Sequence, residues 1–168
     1  DTSFATDGRL LTGDVAQTLS AQEAVLALSD GSLLYYGFDS FQVRRYTTSG
    51  IVDLGFGSNG ATSAPDIGQK PHSNGVVALD AAGRIYAAAG FSEDTVPNGV
   101  AVCRFDDHGA LATFPAIASP CTLTSFATQH TPRAMRIAAD GAIFVLGADG
   151  DLVRFRADGS VDTNFAPE

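Results

Sequence analysis

Tryptophan is absent from this chain, methionine occurs once, cysteine occurs twice in 168 residues, and charged side chains make up only 17% of the total. With 18 glycines and 7 prolines beside them, these scarcities favour short strands joined by tight turns over a helical fold. Basic residues are few as well. Lys and Arg number 10 against 19 Asp and Glu, which gives a formal charge of −9 and a pI near 4.5. The basic residues are scattered, so nothing resembles the clustered Lys and Arg that hold phosphate backbones or anionic headgroups, and neither nucleic acid nor membrane insertion is expected. No apolar run approaches the ~20 residues that a membrane-crossing helix needs, and no basic-then-apolar leader opens the chain. Motifs of chemistry are missing too. There is no Cys-x-x-Cys or ligand-spaced His pair for zinc, no G-x-S-x-G nucleophile elbow, and no glycine-rich phosphate loop, so no cofactor is expected.

Repetition is what the chain does contain. The segments 23–38 (EAVLALSDGSLLYYGF), 74–91 (NGVVALDAAGRIYAAAGF) and 133–148 (RAMRIAADGAIFVLGA) each read as strand, glycine turn, strand, with Gly31, Gly83 and Gly141 at the turns. Asp30-Gly31 and Asp140-Gly141 are dipeptides favoured by tight hairpins whose central residues take positive φ. Each hairpin is followed by a third strand and its own turn, over 41–56, 99–114 and 151–165. There Arg45-Tyr46, Arg104-Phe105 and Arg154-Phe155 align, as do Gly50, Gly109 and Gly159, then Phe56, Phe114 and Phe165. The copies are spaced 50 to 59 residues apart, and the variation falls in polar stretches such as 92–98. A fourth kind of strand is expected at 9–15, 61–67 and 121–127. The repeats then run over about 9–60, 61–118 and 119–168 of a single domain, with residues 1–8 matching the end of a preceding repeat, because DTSF at 1–4 copies DTNF at 162–165.

Strands such as IYAAAGF (85–91) and IFVLGA (143–148) are apolar at consecutive positions, which implies burial on both faces, as in radially stacked sheets. The fold class expected is all-β: a β-propeller-type repeat of three four-stranded antiparallel blades, half or part of a closed ring. The hydrophobic-Arg-aromatic strand, the turn in RFRADGSVDTNF and the opening DTSFATDGRLL together resemble the delta-60 repeat family of bacterial β-propeller proteins. The resemblance is clearest at 151–165 and 1–11 and departs at 111–128. It implies an extracellular or cell-surface setting and no general enzymatic activity. Closed propellers carry about four to eight blades, so three blades call for self-association, as a six-bladed dimer, or for neighbouring domains. In the first case the strand at 9–15 is expected to join the third blade of the next chain.

Side chains that could carry chemistry each have a plainer reading. Cys103 and Cys121 are equidistant from Ala112, which would make them cross-strand neighbours, so a disulfide is expected and would suit an oxidising compartment; the alternative is two small buried residues. The acidic residues Asp149, Asp151, Asp158 and Asp162 form a weak calcium candidate, though Asp is also what hairpin turns require. His72, His108 and His130 read as surface residues. The aromatics Tyr35, Tyr36, Phe38, Tyr46, Tyr86, Phe105, Phe144 and Phe155 recur in register and read as packing residues, with glycan or peptide binding as the sharper alternative. The stretches 92–98 and 113–131 are the insertions expected to carry any binding. A non-enzymatic structural or interaction module is the leading reading. A lectin-like propeller, or an enzyme with a site at the central channel, is the competing one.

Overall fold

The computed structural model describes residue 8 and residues 24–36, 42–62, 67–68, 71–93, 96–125, 131–148 and 150–165. Among these there is no helix, and ten strands form three antiparallel sheets. The first sheet orders β1 (Ala24–Ala27), β2 (Leu33–Tyr36) and β3 (Val43–Tyr46). The second orders β4 (Pro71–Leu79), β5 (Ile85–Glu93), β6 (Val96–Phe105) and β7 (Cys121–Ser125). The third holds β8 (Pro132–Ile137), β9 (Ile143–Gly147) and β10 (Leu152–Phe155), with β9 in the middle. The three hairpins and their following strands therefore lie where the repeat placed them. Among the described residues, four strands are seen in the second sheet only. The expected strand at 9–15 lies outside the described residues, as do 63–66 and 126–127, but 60–62 already pair with β3: Arg45 N donates to Gly60 O (3.1 Å) and Thr62 N to Val43 O (2.8 Å).

The repeated glycine turns share one construction. At 28–32, Gly31 N donates to Leu28 O (3.0 Å) and Leu28 N to Ser32 O (2.8 Å), and the same two bonds recur at 47–51, 80–84, 106–110, 138–142 and 156–160. Only the glycine takes positive φ, +82° at Gly31. The Asp-Gly turns are thus three-residue loops ending in a left-handed glycine, and do not need two central residues at positive φ. The polar stretch 92–98, expected as a loop, instead prolongs the β5–β6 hairpin past a register shift, with Glu93 paired to Val96. Asp94 and Thr95 lie outside the described residues.

Burial is concentrated around the second sheet. Ile85, Tyr86, Ala87, Ala88, Ala89 and Phe91 are all buried, because successive side chains point to opposite faces and both faces are covered. Ile85, Ala87, Ala89, Phe91, Ala101, Cys103 and Phe105 join a core with Leu34, Tyr36, Val43 and Phe56 of the first repeat. Tyr86, Ala88, Val100, Val102 and Phe114 join a second core with Met135, Ile143, Val145 and Phe155 of the third. The small alanines of β5 let both neighbouring sheets approach closely. The expectation of two-sided burial fails for β9, where Ile143 and Val145 are buried but Leu146 is 39% exposed.

Candidate functional site

Each sheet has two faces, and the chain uses them in one direction. Call the front face of a sheet the one turned towards the next repeat. The first sheet's front face presents Leu34, Tyr36 and Val43 to the back face of the second, with Ile85, Ala87 and Cys103. The second sheet's front face presents Tyr86, Ala88 and Val102, which stand at the same repeat positions as Leu34, Tyr36 and Val43. It packs on the back face of the third, where Ile143 and Val145 stand at the positions of Ile85 and Ala87. One interface is therefore built twice from equivalent residues.

A phenylalanine and a glycine close each interface at its turn end. Phe56 is buried against Gly109, where a Cβ would lie 2.9 Å from its ring, and Phe114 is buried against Gly159, where a Cβ would lie 2.6 Å from its Cβ. Gly109 and Gly159 also sit at φ of +83° and +92°, so a side chain is excluded there on both counts. Two backbone bonds and one side-chain bond lock the seams: Gly57 N donates to His108 O (2.7 Å), Ala116 N to Asp158 O (3.1 Å), and the Thr122 hydroxyl to Gly159 O (2.6 Å). The Gly159→Ala variant is expected to lose about 2–4 kcal/mol, from overpacking and backbone strain together. Denaturant unfolding monitored by circular dichroism checks this, and a loss below ~0.5 kcal/mol would contradict the packing described.

Arginines at matching positions brace the turns. Arg45 pairs with Asp30 (2.6 Å) and Asp53 (3.6 Å), and Arg154 pairs with Asp140 (3.5 Å) and Asp162 (3.1 Å). In the second repeat Ala82 and Ala112 replace both acids, and Arg104 lies over the Phe114 ring instead (4.6 Å). A different network holds the β4–β5 turn. Asp80 Oδ1 accepts from Ala82 N (2.9 Å) and Arg84 N (3.0 Å), while its Oδ2 takes Arg84 Nε (2.6 Å) and the Tyr86 hydroxyl (3.2 Å).

Burial pushes the Asp80 carboxyl up, but hydrogen bonds from the Arg84 side chain and from the Arg84 and Ala82 amides outweigh it and hold the group below its ordinary value of 3.8. Burial, then the Asp80 charge, raises the Tyr86 phenol. A carboxylate lowered on folding stabilises the fold above its unfolded pKa and loses that contribution as pH falls through the folded one. The Asp80→Ala variant is therefore expected to be about 1–3 kcal/mol less stable at pH 7, with the gap to the parent chain narrowing below about pH 4. Thermal melts of both proteins at the two pH values check the sign.

Leu34 stands where Tyr86 stands in the next repeat, and the shorter side chain leaves space. A cavity of about 280 Å³ opens between the first and second sheets, with Leu34, Leu79 and Ile85 in its lining beside Asp30, Arg45 and His108. Other lining positions differ between the two interfaces as well: Asp30 stands where Ala82 stands in the next repeat, and His108 where Asp158 stands.

Beyond the second interface, the third sheet presents a front face with no sheet packed on it among the described residues. Leu146, at the position of the buried Tyr36 and Ala88, is 39% exposed, and Leu152, at the position of Val43 and Val102, is 46% exposed. Phe144 and Phe165 are half-buried, meeting edge to face at 5.4 Å with Arg154 above both (5.5 and 5.7 Å). On the first sheet's back face, by contrast, Tyr35 and Tyr46 are buried and Val25 is 63% exposed.

The residues singled out from sequence are placed as follows. Cys103 and Cys121 are directly paired across β6 and β7 and form a disulfide, buried on the second sheet's back face. Asp158 caps its turn, accepting from Ser160 N (2.9 Å) and Ser160 Oγ (2.7 Å), and these bonds lower its pKa. Asp162 is engaged by Arg154 and Arg156 (2.8 Å). Asp151 ends the turn between β9 and β10, its carbonyl accepting from Gly147 N (2.7 Å), and Asp149 lies outside the described residues; among those described, no three acidic, His or Cys side chains come together as a metal site. His108 is exposed beside Asp107 (3.7 Å), His72 lies on β4, and His130 is outside the described residues. Tyr35, Tyr36, Tyr46, Tyr86, Phe105 and Phe155 are buried as packing residues, while Phe38 is outside the described residues. The phenylalanine-on-glycine closure was not read from sequence, although its signal, the recurrence of both residues at fixed spacing, was in view.

No protein-family model matches the chain, and comparison with curated proteins finds no relative.

Proposed function

We infer that the chain is a non-enzymatic structural and interaction module that works by self-association, its sheets arranged as propeller blades in an extracellular setting. The observation that carries this reading is the interface built twice from equivalent residues, whose third front face is left exposed. Two chains of three sheets each would bring six blades to a ring, within the range of about four to eight that propellers adopt. The delta-60 resemblance supports the blade arrangement and the absence of an enzymatic role. The buried disulfide supports an oxidising setting, since such bonds persist outside the reducing cytosol. Sedimentation at micromolar concentration is expected to give twice the chain mass of 17.3 kDa. A single-chain mass across that range would contradict the reading.

The cavity beside Leu34 favours a second reading, in which the module also holds a small polar ligand such as a glycan unit, since an apolar floor with a few convergent polar groups is the usual form of such sites. The Leu34→Tyr variant places in the cavity lining the larger side chain that Tyr86 supplies at the same position of the second repeat. It is expected to raise the melting temperature while abolishing any signal on a glycan array. Array binding that survives the substitution would remove this reading.

A further inference from the structure

We propose that the outer edge of β10 and the front face of the third sheet take up the N-terminal segment of a second copy of this chain, in the hydrogen-bond register that β3 already shows with residues 60–62. The proposal rests on the self-association reading and adds to it the surface, the segment and the register.

The first support is the edge itself. In the first two repeats the amide of the aligned arginine donates away from the middle strand: Arg45 N to Gly60 O (3.1 Å) and Arg104 N to Pro120 O, next to β7 (2.8 Å). In the third repeat the Arg154 carbonyl accepts from Asp162 N (2.9 Å), as its counterparts accept from Asp53 and Ala112, but among the described residues its amide meets no such carbonyl. An open strand edge of this kind is a ready site for strand addition. The second support is the face beside that edge. Leu146 and Leu152 are exposed where the equivalent residues of the first two sheets are at most 1% exposed.

The third support identifies the occupant. Residues 4–10 (FATDGRL) align with 56–62 (FGSNGAT), which places Gly8 at the position of Gly60 and Leu10 at that of Thr62. Gly8 and Gly60 share a left-handed backbone, φ +76° and +88°. Gly60 is buried where its carbonyl meets β3, whereas Gly8 is exposed. Gly8 thus shares the backbone sign that Gly60 has where residues 60–62 meet β3, and β10 is the edge of matching register. In the assembly the Gly8 carbonyl accepts from Arg154 N, and Leu10 N donates to the Leu152 carbonyl as Thr62 N does to Val43. Leu10 then lies beside Leu152 and extends cover over the apolar face. Reciprocal exchange between two chains satisfies both edges, a low-cost route to a dimer.

Sedimentation of the parent chain and three variants tests this. Leu152→Glu puts a charge on the face at a position exposed in the single chain, and Leu10→Pro removes the N–H that the register needs. Each is expected to weaken dimerisation by roughly 30-fold or more, with the melting temperature of the dissociated chain unchanged. Leu54→Glu, at a turn residue 71% exposed and away from the third sheet, is expected to dimerise as the parent does. If the parent is a dimer and both Leu152→Glu and Leu10→Pro dimerise equally well, association stands but this surface is wrong. A monomeric parent overturns both. A monomer whose Arg154 amide is protected from exchange would show that each chain uses its own segment, which also overturns the proposal.

Discussion

Replacing Phe114 with alanine is expected to destabilise the fold by about 3–5 kcal/mol, the cost of emptying a fully buried aromatic site, whereas the same change at Phe165 is expected to cost about 1 kcal/mol, the worth of a single aromatic pair. The two residues stand at one repeat position. Phe114 is 0% exposed, lies against Gly159 of the following repeat and carries the Arg104 guanidinium on its ring. Phe165 is only half-buried; its described ring contacts are Phe144 and Arg154 of its own repeat. The difference between the two losses therefore measures what the next repeat contributes to an interface. Urea unfolding at concentrations too low for association gives both values. Equal losses would mean that the phenylalanine acts within its own repeat and that the seam with the following glycine contributes little.

The second large effect is expected at the disulfide. Cys103 and Cys121 are 18 residues apart in sequence, and closing a loop of that size stabilises by about 3 kcal/mol on chain-entropy grounds. The bond ties β7, the outer strand of the second sheet, to β6, and both half-cystines are buried on the face towards the first sheet. The third repeat has Val153 at the position of Cys103, where the first has Arg44, and the first repeat has Ala61 at that of Cys121, so the double variant Cys103→Val/Cys121→Ala takes each residue from an equivalent position of the same fold. It is expected to fold and to unfold at a lower urea concentration, by a margin that reductant reproduces in the parent chain. A parent whose unfolding midpoint ignores reductant would contradict this.

Much of the fold was legible because its signals are local. The glycine turns are fixed by a few residues each, and Gly31, Gly83 and Gly141 mark three hairpins without reference to anything distant. The cysteine register was legible for the same reason, since equal distances from the turn at Ala112 dictate the partners in an antiparallel pair. What could not be read is what lies beyond a face. Ile143-Phe144-Val145-Leu146 has the same pattern as Ile85-Tyr86-Ala87-Ala88, yet Leu146 is exposed and Ala88 is not, because burial depends on a neighbouring sheet that the strand's own residues do not encode. Polar composition misled at 92–98 in a similar way. Pairing along the β5–β6 hairpin continues past a register shift to Glu93 and Val96, so Ser92 and Glu93 stay in strand despite their polarity. At the acidic turn after β10, Asp158 accepts from Ser160 and Asp162 pairs with Arg154 and Arg156. Side-chain pairing of that kind depends on where the turn folds back, which spacing does not reveal.

By the proposal above, an interface made twice within the chain is completed a third time by a second copy. Amide hydrogen exchange at Arg45, Arg104 and Arg154 over a dilution series tests it most directly. Arg45 and Arg104 donate within the chain and are expected to be protected at every concentration. Arg154 is expected to be protected only where chains associate and to exchange freely on dilution. Free exchange of Arg154 at all concentrations, or protection that persists in the dissociated chain, would contradict the claim.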